Sequence, residues 1–204
     1  MVEPTPNPTG QERLASRCIE GLQFSFARQR SLAERAIEQV SDSGFVAEPE
    51  QGNSLAVLVK HIGGNLRSRF TDFLCSDGEK PDRGRDQEFE LGAADDRDHL
   101  MAGWRSGWAC LEDTLESLEG QQLLAEVTIR GEPYSVVEAF IRAHDHIAYH
   151  VGQIAQLARL SCGASWQTLS IPRGASADYI EAVRQGKVSQ RELPGRSASQ
   201  QPRS

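Results

Sequence analysis

His146 and His150 stand four residues apart in the stretch Arg142-Ala-His144-Asp-His146-Ile-Ala-Tyr-His150-Val-Gly-Gln153. In a helix that spacing puts both imidazoles on one face, one turn apart. Two neutral imidazoles so placed can grip one metal ion, provided a third ligand arrives from another element. His61 is the candidate for that ligand. His144 falls about 160° round the helix from His146 and should not share the site.

The elements that must position these residues read as helices. From about Gln11 to Ser41 the residues Leu14, Cys18, Leu22, Phe26, Leu32, Ala33, Ile37 and Val40 recur at helical spacing, and Ser41-Asp-Ser-Gly44 marks a stop. A polar loop then runs to Asn53 or Ser54, either able to cap the next helix. That second helix is expected over about Ser54 to Ser76. Leu58, His61, Asn65, Arg69 and Asp72 form one stripe of it, beside an apolar stripe of Leu55, Ile62, Leu66 and Phe73. A polar row alongside a core row reads as the lining of an internal cleft. Asp77 to Glu90 is rich in charge and turn formers, a loop of the length that often serves as a lid or binding loop. Asp77–Lys80 within it reads as a structured turn.

The third helix, about Ala94 to Leu118, carries Leu100, Trp104, Trp108, Leu111, Leu115 and Leu118 on one side as core anchors. Val127 to Tyr134 alternates around a glycine and predicts a short extended segment or small hairpin. Ser135 and Glu138 then form a capping box that opens the fourth helix, about Ser135 to Leu160. On it, His146, His150, Gln153 and Leu157 make a functional row beside the core row of Phe140, Ile147, Val151, Ile154 and Ala158. Cys162-Gly163 ends that helix, and a short one is expected from Ser176 to Arg184. Four long amphipathic helices predict an all-α four-helix bundle over residues 10–186. Residues 1–9 read as a flexible lead-in and 187–204 as a disordered tail.

Composition narrows the partners. A net charge of -7 argues against a nucleic-acid surface, which needs concentrated Lys and Arg. No apolar run approaches the roughly 20 residues of a membrane span, and the N-terminus lacks the features of a secretory signal. Cys18, Cys75, Cys110 and Cys162 are scattered, so they are expected to be reduced, buried thiols of a cytoplasmic protein rather than zinc ligands.

Three segments together resemble the DinB-like superfamily of metal-binding four-helix bundles, specifically an uncharacterised bacterial branch. They are Leu58-Val-Lys-His61-Ile-Gly-Gly-Asn65-Leu-Arg-Ser-Arg69-Phe-Thr-Asp72 with Asp77-Gly-Glu-Lys80, then His146-Ile-Ala-Tyr-His150-Val-Gly-Gln153, then Ile171-Pro-Arg173-Gly174. With the helix pattern they cover about residues 11 to 182. The resemblance implies one ligand on the second helix and a pair on a later one, here His61, His146 and His150. It implies a divalent ion (zinc, nickel or iron) with open coordination positions, and frequent homodimers. It also implies, for some members, transfer or isomerisation chemistry that uses a small thiol.

Three neutral histidines would leave the ion its full charge, so that a water or substrate thiol at the open position is acidified. Asn65, Arg69, Asp72, Tyr149 and Gln153 are candidates to orient ligands or substrate, or simply to tie helix to helix; Arg69 and Asp72 could pair with each other. Arg173 would anchor the tail or reach an anionic substrate. The function these residues point to is a metal-dependent transferase or hydrolase acting on a small molecule. The competing readings are a non-enzymatic metal- or ligand-binding bundle, and a dimerisation bundle whose histidines are core residues held by neighbours such as Asp72 and Gln153.

Overall fold

The computed structural model describes residues 9–191. Expectations for residues 1–8 and 192–204 lie outside the described residues. The chain is mostly helical, with six α-helices and one small antiparallel hairpin: α1 (Gly10–Ile37), α2 (Asp42–Val46), α3 (Leu55–Phe70), α4 (Arg97–Ser117), β1 (Glu126–Ile129), β2 (Glu132–Ser135), α5 (Val136–Cys162) and α6 (Ser176–Arg184).

α3 is the innermost element. Every residue from Leu55 to Phe70 is buried except Lys60, Gly64 and Arg67. It packs on α4 and α5, while α1 covers α5 and α4. The approach to α4 is backbone on backbone. A Cβ on Gly107 would stand 2.4 Å from the Gly63 carbonyl oxygen, so no side chain fits there. The α4 anchors are where the periodicity puts them, Trp104, Trp108 and Leu111 having no exposure at all. Trp104 Nε1 donates to Glu34 on α1 at 3.0 Å, and Arg30 of α1 forks onto Glu112 of α4 at 2.8 and 2.9 Å. α1 is less embedded than its sequence pattern implies. Leu14 is 66% exposed and Cys18 is exposed, because the first turns of this long helix outrun the elements that could cover them.

Ser41 starts an element as well as following one. Its side chain accepts from the Gly44 N–H and caps α2, a helix absent from the sequence reading. Arg97, opening α4, donates to the carbonyls of Ile37 and Val40 at 2.6 and 2.8 Å, beside the C-terminal end of α1. Ser54 caps α3. That helix stops at Phe70 rather than near Ser76. Thr71 Oγ1 turns back onto the Arg67 carbonyl at 2.7 Å, and Asp72 adopts φ 49, a left-handed conformation that Asp tolerates and a helix does not.

The extended segment is a two-residue hairpin. Ile129 pairs with Glu132, and Arg130 and Gly131 both take positive φ, the conformation such turns require. Asp77 clamps it: its carboxylate accepts from the N–H groups of Glu79 at 2.7 Å, Arg130 at 2.8 Å and Gly131 at 2.8 Å. The 77–80 segment is therefore a structured turn. Burial works against ionisation of Asp77, but these donors outweigh it and hold its pKa down to about 2. A carboxyl whose folded pKa lies below its unfolded value of about 3.9 stabilises fully above that value and loses the contribution as pH falls. Asp77→Ala is expected to lower stability at pH 7 by about 1 kcal/mol, since water-facing hydrogen bonds are worth less than buried ones. In urea denaturation the gap to the parent should close between about pH 4 and pH 2; a gap that stays constant would remove the assignment.

Ser135 and Glu138 form the expected capping box on α5, which ends at Gly163 with φ 54. The chain beyond it is pinned to α1 by Gln39, which accepts from the Gln167 N–H at 2.7 Å and donates to its carbonyl at 3.1 Å. Arg173 takes no part in this. It is exposed and has no ion-pair partner among the described residues. α6 forms as expected and buries none of its residues. The four cysteines are free, but not buried: Cys18 and Cys75 are exposed, Cys110 and Cys162 half-buried. No helix among the described residues is long and apolar enough to cross a membrane.

Candidate metal centre

α3 and α5 bring His61, His146 and His150 together, with ligand atoms all within 4.8 Å of one another. His146 Nε2 lies 3.2 Å from His61 Nε2 and 3.2 Å from His150 Nε2. Nitrogens held tetrahedrally at about 2.0–2.1 Å from a zinc-sized ion sit about 3.3 Å apart. Two of the three separations thus match such a site, and the three side chains could hold a metal ion.

Tautomers follow from the outer partners. His61 Nδ1 lies 2.8 Å from Glu88 Oε2. An ionised carboxylate only accepts, so Nδ1 carries the proton and Nε2 keeps its lone pair. Burial pushes the Glu88 carboxyl up, but hydrogen bonds from His61 and Arg83 prevail and hold it below its ordinary value. His150 Nδ1 likewise donates to Gln153 Oε1 at 2.7 Å, which points its Nε2 lone pair inward. A single proton on His146 Nε2 can satisfy one of the two facing lone pairs but not both. A cation among the three nitrogens satisfies all of them.

The protonation states agree. Burial, followed by the neighbouring His150 and His61, drives the His146 pKa down to about 3, and burial also lowers His150. Both are neutral at pH 7, the state that coordinates.

Glu88 was not legible in the sequence. It sits in a 3-10 turn, Asp86–Phe89, inside the long charged loop. Arg83 forks onto it, Nε to Oε1 and Nη2 to Oε2, both at 2.8 Å, and the Arg83 side chain is only 4% exposed. α3 makes room for the carboxylate at Gly64, where a Cβ would stand 2.3 Å from Glu88 Oε1. The Phe89 ring lies 4.7 Å from that of His61. The apolar pair Phe89 and Leu91 in an otherwise charged stretch was the available sign that this part of the loop returns to the core.

The remaining candidates divide. Asn65 and Arg69 are buried on α3 and line a cavity shared with His61 and His146. Gln153 holds His150 and donates to the Tyr149 hydroxyl at 3.4 Å, and Tyr149 is 65% exposed, outside the lining of that cavity. Asp72 is not brought to the cluster. It lies past the end of α3, exposed, and makes no ion pair with Arg69. His144 packs edge-on against Phe26 of α1, with ring centroids 5.4 Å apart, on the other side of α5.

No curated protein and no solved structure matches this chain. A family model described as "protein of unknown function (DUF1572)" matches residues 13–175, most of the chain, so the protein belongs to that family.

Proposed function

We propose that the protein is a DinB-like four-helix bundle that holds one divalent ion on His61, His146 and His150 and works as a metal-dependent transferase or hydrolase on a small molecule. The observation that carries this reading is the convergence of three Nε2 atoms whose outward nitrogens are committed to Glu88 and Gln153. Core histidines satisfied by their neighbours would not leave lone pairs facing one another. When bound, an ion in this place supplies Lewis acidity, lowering the pKa of a water or thiol at its open position.

The protein's own residues do the rest. Glu88, fixed by Arg83, orients His61 and raises its basicity. Gln153 does the same for His150 through a neutral acceptor. Asn65 offers an amide to substrate in the adjoining cavity. The loop from Asp77 to Glu90 walls one side and limits the entry of bulk water.

The test is elemental analysis of protein purified without chelator and then incubated with zinc, nickel, manganese or iron. About one retained ion per chain is expected for at least one of them. Retention of none would end the metalloenzyme reading.

A further inference from the structure

Beside the histidines lies a cavity of about 640 Å³ that His61 and His146 share with four arginines from four separate segments: Arg69 of α3, Arg85 of the charged loop, Arg130 of the hairpin turn and Arg142 of α5. Bringing four guanidinium groups to one wall raises the electrostatic energy unless something negative faces them. Two of them are answered within the chain. Arg130 pairs with Glu79 at 3.1 Å, and Arg85 lies 3.6 Å from Asp86.

The other two are not. Arg142 makes no ion pair among the described residues, and its guanidinium rests over the Tyr134 ring at 5.6 Å. Arg69 is only 6% exposed, and its Nη1 is buried with no hydrogen-bond partner. A buried, unpaired guanidinium is costly and therefore rare. The fold nevertheless makes space for it. A Cβ on Gly78 would stand 2.8 Å from Arg69 Nη1, so the glycine leaves the guanidinium room where the loop crosses it. Burial, followed by repulsion from Arg142, lowers the Arg69 pKa to about 10, which still leaves it charged at pH 7. Neither acid on the cavity wall makes an ion pair with Arg69 or Arg142: Glu138 turns to Ser135, accepting from its N–H at 2.8 Å and its hydroxyl at 2.7 Å, and Asp145 is exposed.

We propose that this cavity is the substrate pocket and takes a small molecule bearing an oxyanion group, a carboxylate or a phosphate, which Arg69 and Arg142 grip while its reacting end lies beside the histidines. The inference rests on the reading of those histidines as a metal centre, and it adds the substrate's chemical class. Guanidinium groups suit it because their planar fork binds either oxyanion through paired donors. Arg69 is preorganised for this: held by packing and unsatisfied, it gains its hydrogen bonds only when the anion arrives.

Calorimetric titration of the full chain with inorganic phosphate and, separately, with succinate tests the proposal, each in zinc-loaded and in chelator-treated protein. At least one anion should bind saturably at a single site, and which one binds separates a phosphate-bearing from a carboxylate-bearing substrate. Arg69→Met and Arg142→Gln should each weaken that binding by about tenfold or more, while Arg105→Gln, an exposed arginine on α4, should not. A second readout separates ligand gripping from a structural role. Arg69→Met should raise the thermal midpoint of the ligand-free protein, and the anion that raises the midpoint of the parent should no longer do so. Arg142→Gln, at an exposed position, decides the matter should Arg69→Met fail to fold.

Absence of saturable binding by either anion would overturn the proposal, as would equal binding by the parent and both variants. Anion binding by a protein that takes up no metal under any loading would support the oxyanion pocket and sink the metal reading. Metal uptake without anion binding would do the reverse.

Discussion

His61→Ala is expected to strip the protein of stoichiometric metal as completely as His150→Ala does, although His61 stands 85 residues from His146 in the chain. Each contributes one Nε2 to the same set, and two imidazoles from one helix make at most a weak bidentate grip. The loss should therefore exceed the about 10–100-fold that removing an outer partner brings. Metal per chain after desalting, read by elemental analysis, measures it. His144→Ala is the matched control, since that ring packs on Phe26 across the helix, and it should keep the full complement of metal. A His61→Ala protein that still holds one ion per chain would remove His61 from the ligand set and with it the contribution of α3.

Glu88→Ala carries the second large effect, and it reads out twice. In the metal-free protein the substitution leaves the buried Arg83 with only Glu79, at 3.3 Å, and leaves His61 Nδ1–H without an acceptor. Breaking a buried pair by removing one partner typically costs about 3–5 kcal/mol, because the surviving charge stays out of water. In the metal-loaded protein, loss of the carboxylate that orients His61 should weaken metal binding by about 10–100-fold. Glu88→Gln keeps one acceptor oxygen but no charge, so it should fall between parent and Ala in both measurements. Urea denaturation in chelator gives the first figure, and competition with a chromogenic chelator gives the second. A variant equal to the parent in both would reduce Glu88 to a surface loop residue.

How far these groups could be read in advance depended on how local their signals are. The pair His146 and His150 and the row beside it follow from helical periodicity, and the caps at Ser54 and Ser135 follow from side chains that bond within three residues. Asp72 marks the first limit. It continues the α3 stripe on a helical wheel, but the left-handed turn at that residue ends the helix, and no periodicity announces such a break. Ser41 marks another: a serine after a helix serves equally as a stop and as the cap of the next one. Glu88 and Arg83 were out of reach for a different reason. Their loop holds acids and bases at every few positions without a repeat, and the contact that selects Glu88 joins residues 27 apart. Arg142 reads as an ordinary solvated residue until tertiary packing places it beside Arg69.

Where Gly63 and Gly107 bring two backbones into contact, α3 can neither turn nor slide against α4 without a clash. His61 leaves α3 two residues before that point, so its backbone is stationed by that contact while Glu88 fixes the ring. On the proposed metal reading, three nitrogens gathered on one side of a small ion are expected to favour tetrahedral zinc over copper(II), which prefers a tetragonal plane, and competitive loading with the two ions checks it. The glycine contact thus fixes the station from which α3 presents His61 to the histidines of α5.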